Sequence, residues 1–160
     1  WNFVDTCWRK EPREYQYVAA NYLKAMQSYL TDSDLPKLEQ LVVTKSWWDT
    51  VDILDRVVGS LVYEKQELEK IILQWRLSDN IWLRRVAIDH QLLRKEKTNV
   101  QLLEKILLHN LNQTEFFINK AIGWALRDYS KTNPAWVACF IEKNKERMAD
   151  LSIKEASKYL

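Results

Sequence analysis

Glycine and proline are nearly missing: Gly59 and Gly123, with Pro12, Pro36 and Pro134, are all that 160 residues contain. β-Hairpins turn on glycine-rich corners, so a chain this poor in them has few places to build an all-β fold. The same scarcity excludes a glycine-rich phosphate loop. Cysteine is limited to Cys7 and Cys139, far apart and without a C-x-x-C pattern. They read as reduced, partly buried thiols of a cytosolic protein. His90 and His109 lack metal-ligand spacing, and no G-x-S-x-G or H-E-x-x-H occurs. Both histidines read as surface or core-edge residues, and neither a metal nor a cofactor is expected. No apolar run approaches the roughly 18 residues of a membrane span, and the residues from Trp1 do not read as a signal peptide. The expected location is cytoplasmic, with no membrane partner.

What is present is a globular composition, 47% hydrophobic and 29% charged, in a length that suits one domain over residues 1–160. A net charge of +2 is too small to mark a nucleic-acid binder. Between Arg76 and Lys131 ten basic residues face six acidic ones, an excess that matters only if one face gathers it. Apolar residues at helical spacing predict helices over 12–30, 35–44, 48–63, 67–77, 81–94, 100–111, 115–129 and 134–147, with a last one from Ser152. Cap-forming breaks at Thr31–Asp34, Ser78–Asn80, Thr98–Asn99 and Asn133–Pro134 separate them. The fold class is all-α. The residues after Trp1 already read as mid-domain helix, so the chain is expected to be a piece of a longer protein.

The helices come in pairs with a fixed period. Trp47, Trp82 and Phe117 recur at a spacing of 35 residues, as do Val51, Val86 and Ala121, and Thr50, Arg85 and Lys120. A period in this range predicts a helical solenoid, each pair packing only on its neighbours. The aromatic and apolar recurrences then form the core between repeats, and the second helices line a concave groove.

One stretch stands out: Lys45-Ser46-Trp47-Trp48-Asp49-Thr50-Val51-Asp52. On a helix, Trp48 and Asp52 stand at i and i+4 on one face, while Trp47 turns with Val51 toward the core. An electron-rich ring beside a carboxylate suits a cationic ligand. The alternative is a buried tryptophan beside an Asp that offsets the helix dipole. Lys120, Trp124 and Arg127 form a second stripe at i, i+4 and i+7. It reads either as a phosphate-and-base surface or as a Trp under two snorkelling cations. One arginine of Arg84-Arg85 can face the same groove.

Three segments carry a resemblance: 44–52, Ser78-Asp79-Asn80-Ile81-Trp82-Leu83-Arg84-Arg85, and Glu115 through Arg127. Together they resemble the AlkD-like DNA alkylation repair family, over about residues 3–160. The resemblance implies a right-handed solenoid of HEAT-like helix pairs and a monofunctional DNA glycosylase that removes cationic N3- and N7-alkylated purines. It implies Asp52 as the catalytic carboxylate flanked by Trp48 and Trp124. Arg85, Arg127, Lys120 and Phe117 would contact or position double-stranded DNA, with the protein a monomer. It also implies action without flipping the base into a closed pocket. The resemblance also implies further helices before the first motif, which residues 1–160 are expected not to include. The competing reading is a non-catalytic helical-repeat module that binds DNA or protein on its concave face, since solenoids are commonly scaffolds.

Overall fold

The computed structural model describes residues 1–160, whose regular structure is entirely helical. The α-helices are α1 (Asn2–Arg9), α2 (Glu14–Ala25), α3 (Leu35–Val43), α4 (Trp48–Val62), α5 (Gln66–Trp75), α6 (Ile81–Asp89), α7 (Val100–His109), α8 (Phe116–Ser130), α9 (Pro134–Asn144) and α10 (Asp150–Ala156). No helix is long and apolar enough to cross a membrane. The expected cap residues start several of them. Asn80 Oδ1 accepts from Trp82 N at 2.9 Å, Asn99 Oδ1 from Leu102 N at 3.1 Å, and Asn133 Oδ1 from Trp136 N at 3.0 Å.

The even-numbered helices lie side by side in the order α2–α4–α6–α8–α10, and the odd-numbered ones pack against members of that row. The repeat period reappears as a contact register. Arg94 Nη2 donates to Gly59 O at 2.7 Å, Leu93 N to Asp128 Oδ2 at 2.7 Å, and Lys120 Nζ to Glu155 Oε2 at 2.9 Å, each across 35 positions. Each bond joins one repeat to the next. Val51, Val86 and Ala121 are buried in one cluster of 38 apolar residues reaching from Val4 to Ala156.

The aromatic recurrence has a different place from the one expected. Trp47 is 48% exposed rather than core. Its extended backbone makes it the N-cap of α4: its carbonyl still accepts from Val51 N at 3.1 Å, but its side chain leaves the buried face that Val51 occupies. Its ring instead lies 5.9 Å from Trp82 and 5.3 Å from Phe117, which are themselves 5.0 Å apart. Three repeats are thus stitched along the surface by contacting rings.

Two helices end earlier than their periodicity suggests. The 12–30 segment is helical only to Ala25 before a 3-10 turn, and the 81–94 segment stops at Asp89. After α6 the chain is drawn out of the helix by bonds to other elements: Gln91 Oε1 accepts Asn99 N at 2.7 Å, and Leu93 takes a left-handed φ of 70°. The two glycines serve packing rather than turns. A Cβ on Gly59 would sit 2.0 Å from His90 O, and one on Gly123 would sit 2.6 Å from Glu155 Cβ. The left-handed corners fall to Lys45, Glu64, Leu93, Lys95 and Asn112.

Candidate active site

The start of α4 is anchored before any functional group is placed. The Arg13 guanidinium pairs with the Asp49 carboxylate and donates to Thr50 Oγ1 at 2.9 Å, and Tyr17 Oη donates to Asp49 Oδ2 at 2.7 Å. Burial pushes the Asp49 carboxyl up, but the hydrogen bonds from Arg13 and Tyr17 outweigh it and hold the acid below its ordinary range. Asp49 is therefore a structural anchor that fixes the direction in which the next turn points.

That turn carries Asp52 into a hollow of about 230 Å³ lined by Trp48, Asp52, Arg85, Phe116, Phe117, Lys120 and Trp124. Arg85 reaches across from α6. Its Nε donates to Asp52 Oδ1 at 2.7 Å and its Nη2 to Oδ2 at 2.9 Å, a two-pronged grip that fixes the plane of the carboxylate. The remaining prong, Nη1, donates to Phe117 O at 2.6 Å, and the guanidinium stands 5.0 Å from the centre of the Trp124 ring. Arg85 is 1% exposed, so the role of touching a DNA phosphate does not fit its position. It orients Asp52 instead.

Two further carboxyls, absent from the sequence reading, sit behind this pair. Asp89 Oδ2 lies 3.9 Å from Arg85 Nε, and Asp55 Oδ1 lies 3.4 Å from Arg56 Nε. Burial raises the Asp55 carboxyl well above the ordinary value and Asp89 to about 7, against the lowering pull of the neighbouring arginines. Oxygens of Asp52, Asp55 and Asp89 come within 4.8 Å of one another, a spacing that suits a cation. Arg85 and Arg56 supply the positive charge there. Burial lowers the Arg85 pKa, but hydrogen bonding to Asp52 and the charges of Asp89, Asp52 and Asp55 more than offset it. The sequence signal for this layer is the spacing Asp52-x-x-Asp55 on α4 and Arg85-x-x-x-Asp89 on α6.

The second predicted stripe is divided. Trp124 and Lys120 line the hollow, but Arg127 does not. Lys120 and Arg127 both pair with Glu155 of α10, which Lys158 also grips at 2.6 Å. The hydrogen bond from Lys158 leads in holding Glu155 down at about 2, followed by that from Lys120 and the charge of Arg127, against the effect of burial. His90 is buried rather than at the core edge, with Nδ1 2.7 Å from Ala87 O. Burial foremost, and then the Arg94 charge, lowers it to about 3, which keeps it neutral. His109 is exposed.

The arrangement offers one partly accessible carboxylate, held in a fixed plane, between two indoles that stand on α4 and α8, with α6 between them. Such a site stabilises positive charge that develops beside it and aligns a water against it. No curated protein matches the chain significantly. A solved structure described as "Predicted DNA alkylation repair enzyme from Enterococcus faecalis" is similar to it, with 38% identity and a TM-score of 0.91 over 99% of this chain and 74% of that one. The sequence model of the DNA alkylation repair enzyme family matches residues 1–160, and the chain belongs to that family.

Proposed function

We propose that the protein is a DNA glycosylase that hydrolyses the N-glycosidic bond of cationic N3- and N7-alkylated purines in duplex DNA. The observation that carries this reading is the Asp52 carboxylate, held bidentately by buried Arg85 in a hollow walled by Trp48 and Trp124. An alkylated purine already carries the positive charge that makes it a leaving group, so no general acid is required. As the bond between C1′ and the base nitrogen breaks, its electron pair goes to the base and positive charge grows on the sugar. The fixed anion of Asp52 stabilises that charge, which is larger in the transition state than in the bound substrate, and so accelerates the step. A water aligned by the same carboxylate closes on C1′ and gives up its proton to Asp52 or to solvent. The indole faces of Trp48 and Trp124 favour the cationic nucleotide over its neutral parent. The hollow is open rather than enclosed on all sides, which suits recognition of sugar and backbone without drawing the base inside.

The test is release of N7-methylguanine from methylated duplex DNA by the wild type and by Asp52→Asn. Asparagine keeps the shape and removes the charge. Release by the wild type with a loss of about 10²–10³ in the variant supports the carboxylate role. Duplex binding by both proteins without release by either would instead mark a non-catalytic binding module.

A further inference from the structure

The exposed face of α4 continues past the candidate active site. Trp48, Asp52, Arg56, Ser60 and Tyr63 follow one another at steps of three or four residues and are each exposed or partly exposed, so they form one open stripe. The far end of that stripe opens into a second hollow, of about 280 Å³, between α4 and the turn after α6. Arg56, Arg94 and Lys97 all line it, and no Asp or Glu does.

These cations are incompletely neutralised. Arg94 is held by two uncharged acceptors, Gly59 O at 2.7 Å and Gln91 Oε1 at 3.2 Å. Lys97 has no ion pair, and its ammonium rests 5.7 Å from the Tyr63 ring, with the Arg94 guanidinium 5.2 Å from the same ring. Arg56 has Asp55 beside it, but that carboxyl is buried on the inner side of α4. Glu64 and Glu69 line the adjoining hollow that shares Tyr63, Arg94 and Lys97, so the acids flank this site without entering it. Two anchored guanidiniums with an exposed ammonium at the rim suit a phosphodiester: the forks fix its oxygens, and the ammonium adds charge.

We propose that this hollow binds a backbone phosphate of the same duplex whose damaged nucleotide lies at Asp52. The proposal rests on the DNA reading above and does not require catalysis. Asp52 and Ser60 are eight positions apart on one helix, or about 12 Å, which corresponds to roughly three to four nucleotide steps along a duplex. The site would therefore set how far along the groove the duplex is seated.

Binding to an undamaged duplex tests it, with the salt dependence measured for wild type, Lys97→Gln and, as a control on exposed Lys105, Lys105→Gln. Lys97 is exposed in a short 3-10 turn, so its replacement leaves the core intact. Loss of one phosphate contact predicts that the slope of log K against log salt becomes shallower by about 0.9 for Lys97→Gln, with affinity weaker on the order of fivefold at 0.1 M salt. Lys105→Gln should change neither. A scan of duplexes carrying one neutral methylphosphonate then locates the contact. One position should weaken the wild type more than it weakens Lys97→Gln, in which Arg56 and Arg94 still face the phosphate. Equal slopes for wild type and Lys97→Gln, or a scan in which every position weakens the two proteins by the same factor, would overturn the proposal. Competition by free inorganic phosphate as effective as by duplex would also overturn it, assigning the hollow to a small anion. Base release, measured separately on methylated duplex, reports on the glycosylase reading alone.

Discussion

Replacing Arg85 by lysine separates a residue that orients the carboxylate from one that grips DNA. Lysine preserves the charge and abolishes the fork. Three bonds of 2.6–2.9 Å now leave the guanidinium, two to Asp52 and one to Phe117 O. A single ammonium can keep one of them, so two charge-assisted bonds are lost at about 1.5–3 kcal/mol each. That matches the roughly 3–5 kcal/mol cost of breaking a buried ion pair, against a total stability of about 5–15 kcal/mol for a domain. The variant should fold with a clearly lower melting temperature. Its Asp52 carboxylate is freed to rotate, which should reduce single-turnover base release by about 10²–10³. Because Arg85 is 1% exposed, duplex affinity and its salt slope should stay near wild type. Far-UV circular dichroism checks folding, fluorescence anisotropy checks binding, and quenched single-turnover assays read the chemistry. A folded variant that releases base at the wild-type rate would refute the argument. So would one whose main defect is a salt slope shallower by about one unit, which is the signature of a lost phosphate contact.

Gly59→Ala should destabilise the protein by about 1–3 kcal/mol or more, read as a lower urea midpoint, because the added Cβ meets backbone of His90 at 2.0 Å. Gly123→Ala should cost less, since its first obstacle, at 2.6 Å, is the Glu155 side chain. The buried carboxyls predict an unusual pH profile. Asp55 and Asp89 hold protons more tightly when folded, so their contribution to stability is complete below about pH 4 and declines as pH rises toward 7. Glu155 acts oppositely: its contribution is present above its ordinary value and is lost as pH falls toward about 2. Urea midpoints measured from pH 4 to 8 should fall across pH 5–7, and Asp89→Asn should flatten that fall. A wild-type profile that rises through this range would contradict the assignment.

The helical class and the repeat were legible because period and capping are local signals. Asn80, Asn99 and Asn133 could be read as caps from their positions alone. Trp48, Asp52, Lys120 and Trp124 could be placed on common faces because helical spacing decides that by itself. The function of Arg85 could not. Whether an arginine faces a phosphate or a carboxylate depends on what the next helix presents, and Asp52 stands 33 residues away. The place of Trp47 is hidden for a related reason: the helix begins at Trp48, so the side chain of the extended residue before it leaves the face that the spacing to Val51 assumes. Glu155 is hard to read from sequence because it continues the 35-residue series of Thr50, Arg85 and Lys120 with a charge opposite to that of its two basic members.

The carboxylate, its arginine and the facing indole come from α4, α6 and α8, three consecutive members of the row. The site is therefore a gauge of how those helices are stacked. A shift of one residue rise, about 1.5 Å, between α4 and α6 exceeds what a 2.7 Å hydrogen bond can absorb. The aim of the carboxylate therefore follows the placement of α6 against α4, and a contact that slides one helix along the other should be felt at Asp52 without touching it.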